Sequence, residues 1–68
     1  MDNKIKVLEE YINHVMSMKK LMDDEGQDGM VRFFTGEFNG IAETLSTFGY
    51  VIELNDNTGR FFVREASR

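Results

Sequence analysis

At Gly49 the apolar residues change their spacing, and that position divides the chain into two kinds of structure. Before it, apolar residues recur three and four positions apart; after it, Tyr50, Ile52 and Leu54 alternate with Val51, Glu53 and Asn55. The first period belongs to α-helix and the second to a strand with one buried face. Gly49 follows Phe48 where a left-handed C′ residue ends a helix, which puts Tyr50 at C″, in reach of Leu45 in a Schellman arrangement. The sequence therefore predicts helix first and sheet last.

The helical part is itself two segments. Ile5, Leu8, Ile12, Val15 and Met22 form one stripe, interrupted by Lys19 and widened by Tyr11 and Met18. This predicts an amphipathic helix over about 3–24, capped by Asp2 or Asn3. Val7, Met16 and Leu21 lie off the stripe, as in a helix covered on two sides. The run Asp23-Asp24-Glu25, followed by Gly26-Gln27-Asp28-Gly29, reads as a solvated loop. Val31, Phe34, Phe38, Ile41, Leu45 and Phe48 then predict a second helix over about 28–48, with Asp28 as its N-cap. Gly36 and Gly40 inside it cost roughly 1.5–2 kcal/mol together relative to alanine. Being four apart, they share one side, where another backbone can come close.

After Gly49 the pattern is a hairpin. Strands over about 50–55 and 60–65 flank Asp56-Asn57-Thr58-Gly59, a four-residue loop in which Gly59 supplies a positive φ. Pairing Asn55 with Arg60 sets Leu54 against Phe61 and Ile52 against Val63, which gathers these four and Tyr50 on one face. Val51, Glu53, Arg60, Phe62 and Arg64 fall on the other. A slip of one residue destroys this segregation. The expected fold is α+β in the order ααββ, a two-helix hairpin followed by a two-stranded antiparallel β-hairpin, forming one domain over 1–68.

Sixty-eight residues lie near the lower limit for one hydrophobic core, and with no cysteine there is neither a disulfide nor a thiolate zinc site to help. Six Phe and five Met are a large apolar supply for so small a body, more than the helix stripes and one hairpin face use. Phe33 and Phe62 point away from the expected core, as interface aromatics do. These considerations predict a homodimer, with helices packed across the two-fold axis or hairpins joined edge to edge, and Phe33, Gly36, Gly40, Val51 and Phe62 as candidate interface residues. No apolar run exceeds three residues, so neither a membrane span nor a signal peptide is expected and the predicted location is cytoplasmic.

Few residues have a pattern that supports chemistry. His14 is the sole histidine, one turn after Glu10, and a surface histidine with a carboxylate neighbour explains the pair better than a metal or proton site. A calcium loop begun at Asp24 fails, with Gly26 and Thr35 standing where ligands are required. Asn55-Asp56-Asn57-Thr58-Gly59 resembles a cation loop but is accounted for by turn chemistry. With no phosphate-binding or nucleophile motif either, the reading is non-enzymatic and without a cofactor.

The net charge of −4 argues against affinity gained by covering phosphates, yet it is unevenly spread. Residues 50–68 balance Arg60, Arg64 and Arg68 against Glu53, Asp56 and Glu65. Alternation there sets Phe62 between Arg60 and Arg64, similar to a small stacking platform for single-stranded nucleic acid. Against this, Glu53 can pair diagonally with an arginine. An opposite use of charge is an acidic surface of Asp23, Asp24, Glu25 and Asp28 offered to a basic partner.

The segment Gly36-Glu37-Phe38-Asn39-Gly40-Ile41-Ala42-Glu43-Thr44-Leu45-Ser46-Thr47-Phe48-Gly49-Tyr50 resembles a pattern in small uncharacterised proteins of phages and prophages of Gram-positive bacteria. In that pattern a helix of the form G-x-[FY]-x-G-[IF]-x-x-x-L ends in Gly-Tyr and enters a strand, and it covers about a fifth of this chain. The resemblance implies an accessory or regulatory role without catalysis. The expected function is thus a small protein-interaction or regulatory module, the alternative being a nucleic-acid-binding accessory protein using Arg60, Phe62 and Arg64.

Overall fold

The computed structural model describes residues 3–66. Helix α1 spans Asn3–Asp24, helix α2 Asp28–Thr47, strand β1 Tyr50–Asn55 and strand β2 Arg60–Glu65. The strands form one antiparallel pair, so the fold is α+β in the order ααββ. The register is the one the alternation predicts: Asn55 faces Arg60, Leu54 faces Phe61, Ile52 faces Val63 and Tyr50 faces Glu65.

The helix ends differ from the sequence expectation in instructive ways. The full Schellman pair closes α1, not α2: Gln27 N–H donates to the Met22 carbonyl at 2.8 Å and Gly26 N–H to the Asp23 carbonyl at 3.0 Å, with Gly26 at φ 73°. At the end of α2, Gly49 has φ 87° and donates to the Ser46 carbonyl at 3.1 Å, the inner bond of the same motif. Phe48 is the C-cap of α2 and not its last turn. Asp28 is no N-cap. Gln27 holds that position without a side-chain bond, because the tight Gly26 turn starts the helix at Asp28, whose carboxylate instead meets the positive helix end. Asn3 lies inside α1 and not before it, and Asp2 is outside the described residues.

The core is small. Ile12, Leu45 and Val63 form its buried centre, one residue each from α1, α2 and β2, with Ile5, Leu8, Phe38, Ile41, Tyr50, Ile52 and Phe61 packed around them. Val15 is also buried. Full burial of Ile12 and Val15 stabilises the fold by about 1.5–3 kcal/mol each. Phe38 meets Phe61 edge to face with centroids 5.5 Å apart, which sets α2 over the hairpin. Leu54 shares the inner face but lies near the turn, 49% exposed. Of the residues off the α1 stripe, Met16 is half-buried, while Val7 and Leu21 are exposed, so this helix is not covered on two sides within one chain.

Candidate interaction surface

The turn between the strands uses its polar residues locally. Asn55 Oδ1 accepts from the backbone N–H of Asn57 at 2.9 Å and of Thr58 at 3.3 Å, and Gly59 N–H donates to the Asn55 carbonyl at 2.7 Å. These bonds make an Asx turn. Among the described residues no three His, Cys, Asp or Glu side chains gather where they would hold a metal ion. His14 and Glu10 are both exposed. Among the described residues, no helix is long and apolar enough to cross a membrane.

On the outer hairpin face, alternation brings Val51, Glu53, Arg60, Phe62 and Arg64 together, but their charges are already engaged in part. The Arg64 guanidinium donates to Glu53 Oε2 at 2.6 Å across the strands, the diagonal pair that competes with the stacking platform. It also donates to the Glu65 carbonyl at 2.9 Å. The hydrogen bond and the charge of Arg64 hold the Glu53 carboxyl below its ordinary range, and those of Glu53 hold the guanidinium above its own. Arg60 sits at the exposed turn end, where with Lys20 it borders a shallow groove between α1 and the hairpin. Phe62 and Val51 are half-buried. Of the two guanidinium groups that flank this partly covered ring, that of Arg64 is thus committed to a carboxylate.

Phe33, Gly36 and Gly40 lie on the back of α2, away from the hairpin. Phe33 is 59% exposed and touches Phe34 edge to face at 5.2 Å. A Cβ on Gly36 or Gly40 would meet nothing within 4 Å, so neither glycine serves a close approach inside the chain. Beside them, Tyr11 donates its hydroxyl to the Glu37 carboxylate, which fixes the flank of α2 that faces α1. That bond, with partial burial and the Glu37 charge, raises the Tyr11 pKa.

Glu9 and Asn13 are the polar residues whose role the periodicity does not show. Asn13 Nδ2 donates to the Phe61 carbonyl at 2.9 Å and Asn13 Oδ1 accepts from the Phe61 N–H at 2.8 Å, so one amide side chain imitates a neighbouring strand. Glu9 Oε2 accepts from the Val63 N–H at 2.8 Å. Together they occupy the outer edge of β2. Opposed residues of an antiparallel pair point their N–H and C=O groups either both toward each other or both away. Since Phe61 and Val63 bond away from β1, Leu54 and Ile52 point away from β2, and parity adds Tyr50. Among the described residues, nothing is hydrogen-bonded to the outward groups of Ile52 and Leu54.

No protein family matches this chain, and it is similar to no curated protein and to no solved structure.

Proposed function

We propose that this protein is a small non-enzymatic interaction or regulatory module that works as a homodimer, an accessory protein of the phage or prophage kind that the Gly36–Tyr50 pattern resembles. One observation carries the reading: the apolar surface left uncovered by a single copy. Among the described residues, only Ile12, Val15, Leu45 and Val63 form the buried apolar core, while Val7, Leu21, Met30, Phe33, Phe48 and Leu54 are exposed at between 41 and 73%. Large side chains so distributed are characteristic of a surface that a partner covers. Sedimentation of the full chain over a concentration series tests this. A dimer at micromolar concentration is expected, and a folded monomer throughout contradicts it.

The nucleic-acid reading rests on Arg60 and Phe62, with Arg64 bound to Glu53. Gel shifts at low salt with single-stranded and duplex probes test it, and the account expects no retardation.

A further inference from the structure

A two-stranded sheet has two outer edges, and an uncovered edge is a template for another strand. Here the β2 edge is closed by Asn13 and Glu9, whose contacts at 2.8–2.9 Å hold α1 beside that strand. Among the described residues, nothing closes the β1 edge in this way. Tyr50-Val51-Ile52-Glu53-Leu54-Asn55 contains no proline, no lysine and no glycine, and its one charge is neutralised by Arg64. We propose that the outer edge of β1 is a strand-addition site for a second copy of this chain, pairing β1 with β1 antiparallel about a two-fold axis through Ile52. The proposal rests on the homodimer reading and gives it a surface and a register.

Three properties single out a second copy as the occupant. First, the outward groups are self-complementary. Centring on Ile52 matches Ile52 with Ile52 and Tyr50 with Leu54 in both directions, so every outward residue of the strand exchanges hydrogen bonds. Second, the charges select this register. It sets Glu53 opposite the second copy's Val51, whereas a shift of one pair toward the turn sets Glu53 against Glu53, and like charges directly opposed are destabilising. A shift the other way leaves Leu54 without a strand partner. Third, the seam covers apolar side chain. Leu54, 49% exposed in one copy, gains the second copy's Tyr50 as its neighbour.

The test compares the full chain with two edge variants by sedimentation, with circular dichroism as the check on fold. A synthetic chain N-methylated at Ile52 loses the outward donor and gains a methyl group in the seam. Leu54→Lys places a charge on the exposed edge position, so it keeps the test open if the first variant does not fold. The wild type is expected to dimerise and both folded variants to associate at least ~10-fold more weakly, the first from the lost hydrogen bonds at Ile52 and the second from the charge brought into the seam. A wild-type dimer with folded variants of undiminished affinity overturns the edge proposal and leaves self-association through another face. A wild type that stays monomeric overturns both.

Discussion

The two strands of the hairpin are of equal length, yet their outer edges are treated in opposite ways. Along β2, Asn13 and Glu9 reach from α1 and take the Phe61 N–H, the Phe61 carbonyl and the Val63 N–H. Along β1, α2 covers the inner face and sends nothing to the edge. The difference follows from the positions of the helices. Helix α1 lies beside the sheet, where its flank is level with the strand backbone, and α2 lies above it. Two polar residues four apart therefore do for β2 what a third strand would do, and β1 keeps the capacity to pair.

The largest effect is expected from Asn13→Ala. It strips the Phe61 backbone of both partners in a half-buried setting and should destabilise the fold by about 1–3 kcal/mol in a urea titration. It also frees the Phe61 part of the β2 edge, leaving Glu9 on Val63, so association beyond the dimer should rise. An unchanged urea midpoint would show that the amide is ornamental. Next come Gly36→Ala and Gly40→Ala. Nothing stands within 4 Å of either added Cβ, so each should stabilise the helix by about 0.5–1 kcal/mol in the same titration. If the back of α2 were the dimer seam, the added methyl groups would weaken association, and the account expects sedimentation to find it unchanged.

A smaller effect tests the register. Val51→Glu opposes two acids twice per dimer and Val51→Lys opposes Lys to Glu twice, each pair worth about 0.2–1 kcal/mol. The lysine variant should dimerise more tightly than the glutamate one, even though Arg64 beside position 51 favours the glutamate within one chain. The smallest effect is electrostatic. Glu53 has a carboxyl held below its ordinary value of 4.5, so its contribution is complete above that value and is lost as the pH falls through the lower folded value. Thermal melts should show wild type more stable than Glu53→Gln at neutral pH, with the gap closing in acid. A gap independent of pH would remove the Arg64 pair from the account.

The fold was legible because each element carries its own period. The stripe through Ile5, Leu8, Ile12 and Val15, that through Val31 to Phe48, and the alternation after Gly49 each name one structure, and only one register gathers Leu54, Phe61, Ile52 and Val63 on a face. The helix caps were less legible, since Asp28 has the side chain of an N-cap and yet the tight turn at Gly26 gives that position to Gln27. The edge was hidden for a different reason. Periodicity assigns polar residues to solvent, and nothing local to Glu9 or Asn13 shows a strand 48 or 54 positions away. Among the outer-face residues, the Glu53–Arg64 diagonal was readable once the register was set, but its short contact and the half-burial of Phe62 required the folded chain.

Residue-resolved amide hydrogen exchange over a concentration series tests the asymmetry of the two edges most directly. The account predicts that the outward amides of Ile52 and Leu54 exchange rapidly in dilute protein and become protected as the dimer forms. The Phe61 and Val63 amides, held by Asn13 and Glu9, should be protected at every concentration. Exchange at Ile52 and Leu54 that stays rapid in a solution shown by sedimentation to be dimeric would contradict it.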